Sequence, residues 1–112
     1  MRIRVPPKRI RERFLIIYEL EGCGKAVNYL TDYYDVARMR IVLDGRKVPK
    51  GCYGWYFKNK AHFTREGLKK RVILHELYHH LIEAKGYELR NRTEEKEANS
   101  FSRAFPLFLS EA

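Results

Sequence analysis

A chain of 112 residues has room for one domain with a modest core, and 45% hydrophobic residues with 13% aromatics is a globular composition that excludes intrinsic disorder. The longest unbroken apolar run, Phe14 to Tyr18, falls far short of the ~20 residues of a membrane-spanning helix, which excludes a transmembrane reading. The formal net charge is +9, 33% of residues are charged and glutamine is absent; many Lys, Arg and Glu with few thermolabile amides is a thermophile profile.

The opening residues are basic, with Arg2, Arg4, Lys8, Arg9, Arg11 and Arg13 set against Glu12. Such an arm suits phosphate, because each neutralised phosphate releases counterions. A solvated segment and helix face accounts for the charge equally, and no base-stacking motif or four-cysteine finger accompanies it. Nucleic acid is therefore the disfavoured partner. The charges run into Pro6 and Pro7 rather than an apolar stretch, which argues against a signal peptide. A soluble, cytoplasmic chain with no membrane contact is expected.

The two prolines open a helix through "KRIRERFLIIYELEG", with Ile10, Phe14, Ile17 and Tyr18 on one face and Gly22 past its end. A break at Gly22-Cys23-Gly24 precedes a second, shorter helix, "KAVNYLTDYY". Cys23 and Cys52 match no zinc-ribbon or Cys-x-x-Cys spacing, and buried thiols and one disulfide are both open. "ARMRIVLDG" alternates as a strand does, and Asp44-Gly45 is a turn signal. "CYGWYFKNKAHFT" predicts two short strands joined at Lys58-Asn59-Lys60. Thr64 is the expected N-cap of "REGLKKRVILHELYHHLIEAKG", a helix of about six turns that ends at Gly86. "YELRNR" reads as a loop. Thr93 is the expected cap of a last helix whose opening Glu94 and Glu95 suit the helix dipole, and Pro106 ends or kinks it. The order predicts one α+β domain over residues 1–112, with a small antiparallel sheet, a long helix and a following glutamate-bearing helix.

The long helix carries the chemistry. His75 and His79 are four apart, so both imidazoles leave one face of the helix, one turn apart, where two neutral nitrogens can bind one zinc ion. Glu76 follows the first histidine and flanks the metal, placed to take a proton from an attacking water and later return one to the leaving amine. A chance match to this pattern is on the order of one chain in a hundred. Its setting adds weight, since Leu74, Leu77 and Leu81 form an apolar back face that would bury the helix against a core.

Zinc needs a third protein ligand. The candidates are Glu94, Glu95, Glu97, His80 and His62. His80 points about 100° away from His79 around the helix and makes a poor partner. On the last helix Ala98, Phe101 and Phe105 mark the core face. Glu94 falls on that face and Glu95 on its flank, while Glu97 points further away. Helical geometry leaves Glu94 and Glu95 both open.

"HELYH" followed by Glu95-Lys-Glu-Ala-Asn99 resembles the gluzincin class of zinc peptidases, whose second motif reads Glu-x-x-x-Asp with its first Glu as third ligand. In HtpX and CAAX-protease relatives it reads Glu-x-Glu-Ala-Asp, and in ImmA/IrrE-type peptidases often Glu-x-Glu-Ala-Asn. The resemblance implies a minimal zincin-like domain in which His75, His79 and Glu95 hold Zn2+ and Asn99 is a companion to the site. It covers roughly residues 50 to 105, and only the two zinc motifs are specific. "YGWYFKNKAHFT" resembles the edge strand that these peptidases place above the cleft, which can pair with an extended peptide. Small size makes the chain most similar to the minigluzincin and selecase group, which implies latency through C-terminal segments or homo-oligomer contacts. Residues 106–112, with Phe108 and neighbouring leucines, could serve that purpose or simply pack on the core. Tyr87 is the first choice for a group facing the oxyanion.

The function expected is thus a zinc-dependent endopeptidase, with peptide or unfolded protein as substrate. The alternative is a basic nucleic-acid- or partner-binding module whose zinc is structural or vestigial. Asn99 departs from the acidic gluzincin pattern, and an amide backs a ligating histidine with less basicity than a carboxylate. Asn99→Asp should therefore tighten zinc binding in a competitive titration; unchanged or weaker binding would count against a role for Asn99 behind a ligand.

Overall fold

The computed structural model describes residues 1–106. In chain order come α1 (Lys8–Glu21), α2 (Cys23–Tyr33), β1 (Arg40–Leu43), a 3-10 turn (Gly45–Lys47), β2 (Gly54–Phe57), β3 (Lys60–Phe63), α3 (Lys70–Ala84) and α4 (Asn91–Ala104). The α+β class and the order of elements are those the sequence predicts. The apolar tail beyond Pro106 lies outside the described residues.

Gly22 alone separates α1 from α2, and its φ of 95° is the reason a glycine stands there. The break is shorter than expected, since Cys23 and Gly24 are already helical. Phe14 and Leu15 of α1 and Ala26, Val27 and Leu30 of α2 are buried together, with Ile10, Ile17 and Tyr18 packed against the same core. Cys23 is half-buried, Cys52 is exposed, and both are free thiols.

The basic N-terminal arm is not the solvated segment its charge suggests. Ile3 and Pro6 are buried. The Ile3 N–H donates to the Tyr78 hydroxyl at 3.4 Å, the Arg2 N–H donates to Glu97 at 3.2 Å, and the Arg4 carbonyl accepts from Tyr34 at 2.5 Å. Arg11 donates to the Ala104 carbonyl at 2.9 Å and Arg71 to the Ser102 carbonyl at 2.7 Å. Two arginines thus satisfy carbonyls at the end of α4, where cations also suit the dipole.

The sheet is mixed, which corrects the antiparallel expectation. Its strand order is β1-β3-β2. β2 and β3 form an antiparallel hairpin over a two-residue turn, with Lys58 at φ 46° and Asn59 at φ 67°, the paired positive values a tight hairpin turn requires. Lys60, expected in the turn, is the first residue of β3. β1 pairs with β3 in parallel, from Arg40 opposite Lys60 to Leu43 opposite Phe63. Alternation of apolar and polar residues fixes which face of a strand is buried and carries no information on pairing direction. Asp44-Gly45 does begin a turn, with Asp44 accepting from the Arg46 N–H at 3.1 Å, but the chain then runs on to the far edge of the sheet before β2. β3 is central, with Ala61 and Phe63 fully buried, and β2 is an edge strand lying beside α3.

Helix α3 starts at Lys70, not after Thr64, and at 15 residues makes about four turns rather than six. Thr64 instead closes a local turn, its Oγ1 accepting from the Gly67 N–H at 3.0 Å. Gly67 then packs on β2's lead-in so tightly that a Cβ there would sit 2.0 Å from the Tyr53 carbonyl oxygen. At the other end Gly86 (φ 74°) follows the helix as expected, with the Tyr87 N–H returning to the Ile82 carbonyl at 3.1 Å. Helix α4 begins at Asn91, so Thr93 lies in its first turn and caps nothing. Leu74, Leu77 and Leu81 of α3 share one core with Ala98 and Phe101 of α4 and with Phe105 just past its end.

His80 is a structural member of that core. It is fully buried, with Nδ1 2.9 Å from the Tyr56 hydroxyl on β2 and Nε2 2.5 Å from the Ala37 carbonyl. Both ring nitrogens are used, tying α3 to the edge strand and to the segment ahead of β1. His80→Leu should therefore lower stability by about 1–3 kcal/mol in urea unfolding, because it leaves buried polar partners unsatisfied; an unchanged midpoint would show that the two hydrogen bonds contribute nothing.

Candidate metal centre

His75 and His79 project from the same side of α3, their ring centroids 5.0 Å apart and their Nε2 atoms 3.3 Å apart. Glu95 reaches over from α4 and spans them, with Oε2 2.9 Å from His75 Nε2 and Oε1 2.7 Å from His79 Nε2. The ligand atoms of the three residues all lie within 4.8 Å of one another. Lone pairs brought this close need a proton or a cation between them, and two imidazoles with a carboxylate are a donor set that suits a divalent transition metal. Burial lowers the pKa of His75, against the opposing pull of Glu95 and of the Asn99 side chain, which favours the neutral imidazole that a metal requires. The group could hold a metal ion, and the donors fit one.

The open choice between Glu94 and Glu95 resolves by giving each a different place. Glu95 faces the Nε2 atoms, whereas the Glu94 carboxylate meets Nδ1 of His79 from behind. A carboxylate on the far nitrogen fixes the ring's orientation and tautomer and raises its basicity as a ligand. Asn99, one turn beyond Glu95, offers its side-chain amide to His75. Glu97 points elsewhere and binds the Tyr78 hydroxyl. His62 stands on β3 opposite Val42 and Trp55, apart from the cluster.

Glu76 is 7% exposed and faces β2 rather than solvent. Desolvation raises its pKa to about 7; the neighbouring Glu95 charge adds to the rise, while His79 and the backbone N–H of Tyr56 oppose it. The fit between α3 and the edge strand depends on Gly54, where a Cβ would lie 3.1 Å from the Glu76 Cγ and 3.1 Å from the Phe63 ring. A side chain at this position would push the strand and the Glu76 side chain apart by a few tenths of an ångström. No sequence pattern marks Gly54; its meaning lies in a contact between segments far apart in the chain.

The edge of β2 forms one wall of a cleft over these groups. Two hollows of about 570 and about 480 Å³ flank the centre, and Trp55, Glu76 and Glu95 line both. Tyr87, 42% exposed, lines the larger one along with His79. Comparison with protein-family models, with curated proteins and with solved structures finds no match.

The different placements of the two glutamates give separable outcomes. Glu94→Ala should weaken metal binding by about 10–100-fold, the usual cost of removing a group behind a ligand, and Glu95→Ala should weaken it further. Competition against a chromophoric chelator measures both; wild-type affinity in Glu94→Ala would remove that residue from the site.

Proposed function

We propose that the chain is a gluzincin-like, zinc-dependent endopeptidase acting on flexible peptides or unfolded segments, with His75, His79 and Glu95 as ligands and Glu76 as general base. The observation that carries this reading is the buried Glu76 carboxyl, poised at about 7, immediately beside a convergent pair of imidazoles and a carboxylate. Zinc held there would polarise a substrate carbonyl and lower the pKa of water. Glu76 would accept the proton of the attacking water and pass it to the departing amine, a task suited to a group with a pKa near neutrality. Its neighbour β2 is the edge strand of the sheet; the Tyr56 N–H is taken by Glu76, and an extended peptide would pair with the remaining main-chain groups, through hydrogen bonds that bind a peptide with little regard to its side chains. Tyr87 stands in the same cleft as a candidate partner for the oxyanion.

A second reading draws on the sheet. Trp55 and Phe57 are 46% and 59% exposed, Lys58 lies over the Phe57 ring at 5.2 Å, and Lys47 and Lys60 line the same hollow. Exposed rings among lysines suit stacked bases, which supports a nucleic-acid- or partner-binding module with a structural metal. The two readings part experimentally. With zinc supplied, the wild type should cleave casein and lose that activity to a chelator, while Glu76→Ala should keep stoichiometric metal by mass spectrometry and cut nothing. Cleavage surviving in Glu76→Ala would overturn the assignment of the base. A salt-dependent mobility shift with no metal-dependent cleavage would favour the second reading.

A further inference from the structure

The two hollows that flank Glu76 differ in charge. The larger, beside Trp55 and Tyr56, carries Glu83 and Glu88 on its walls besides Glu94 and Glu95, and no lysine or arginine lines it. The smaller, beside Gly54 and Trp55 at the other end of β2, carries Arg71 and Arg103. Structural duties do not use up these charges. Glu88 and Arg103 are exposed and make no ion pair among the described residues. Arg71 spends Nη1 on the carbonyls of Ser102 and Phe105, leaving Nε and Nη2 of its five-donor fork.

We infer that the cleft selects peptides by charge order, taking a basic residue on the N-terminal side of the central bond and an acidic residue on its C-terminal side. The inference rests on the peptidase reading for the position of that bond. The direction follows from the strand edge. An extended peptide pairs most stably with β2 in antiparallel fashion. Its N-terminal part then lies over the Tyr56 end, in the acidic hollow, and its C-terminal part lies over the Gly54 end, in the basic one. Opposite charges on the two halves attract a peptide in this register and repel the reversed one, so the field fixes direction as well as affinity.

The test uses two end-capped peptides of identical composition, one with lysines before and glutamates after a central apolar pair, the other in reverse order. Identical net charge cancels the general attraction of a +9 chain for acidic ligands. Fluorescence anisotropy of each labelled peptide with zinc-loaded Glu76→Gln reads binding without hydrolysis. The lysine-first peptide should bind about tenfold more tightly at low salt, because several exposed charge pairs are attractive in one order and repulsive in the other. Glu88→Lys with Arg103→Glu, both at exposed positions, should abolish or invert the preference. Equal affinities, a preference for the glutamate-first peptide, or a preference untouched by the double reversal would each overturn the inference. Failure of the peptidase reading shows separately: wild-type protein with zinc would leave both peptides intact while the binding preference persisted.

Discussion

The carboxylate of Glu95 rests against two nitrogens that belong to another helix, so the centre exists only while α3 and α4 hold their relative positions. Metal–ligand distances tolerate errors of only about 0.2 Å, which is a severe demand on packing between two helices. Leu77 and Leu81 on one side and Ala98 and Phe101 on the other, all fully buried, meet it. The ring of Tyr78 stands 5.2 Å from that of Phe101, and its hydroxyl binds Glu97, two residues past Glu95. Tyr78 therefore ties the two helices together on the side away from the cleft, within the very motif that carries the histidines. The strap of residues 2–4 closes over the same point, through Ile3 on Tyr78 and Arg2 on Glu97.

Burial of Glu76 works against this stability. Its folded pKa, near 7, lies above the ordinary carboxylate value, so the folded state loses stability as pH rises between the two and the carboxylate ionises without a full partner. The core offsets that loss: Phe14, Phe63, Tyr78, Phe101 and Phe105 are all nearly or fully buried, and the rings of Phe14 and Tyr78 pack at tilted to edge-on angles against Phe101 and Phe105. Among the described residues Glu76 is the one buried carboxyl, so unfavourable charge burial is concentrated there.

Where the information is local, the sequence alone makes much of this legible. The apolar periods of α3 and α4 identify the buried leucines and phenylalanines, because helical spacing decides which side chains share a face, while in α1 the period finds Phe14 but not the equally buried Leu15. The pairing of His75 with His79 is within reach of the same reasoning, since the two lie one helical turn apart, whereas that spacing leaves Glu94 and Glu95 both open as the third member. What the sequence does not show is relational. Thr64 has the chemistry of an N-cap, and only the close approach of Gly67 to Tyr53 reveals that it closes a turn instead. The parallel pairing of β1 depends on where the chain goes after Asp44, which alternation does not encode. His80 lies about 100° from His79 around the helix, which removes it from the metal group, and that same angle turns it into the core towards Tyr56 and Ala37.

The unequal backing of the two imidazoles follows from one helical turn of α4. Glu95 faces the Nε2 atoms, Glu94 meets Nδ1 of His79 with a carboxylate, and Asn99 offers His75 an amide. A charged acceptor supports the positive charge that an imidazole gains on binding a cation better than an amide does. The two rings are therefore backed unequally, a carboxylate at His79 and an amide at His75, while burial favours the neutral form of His75.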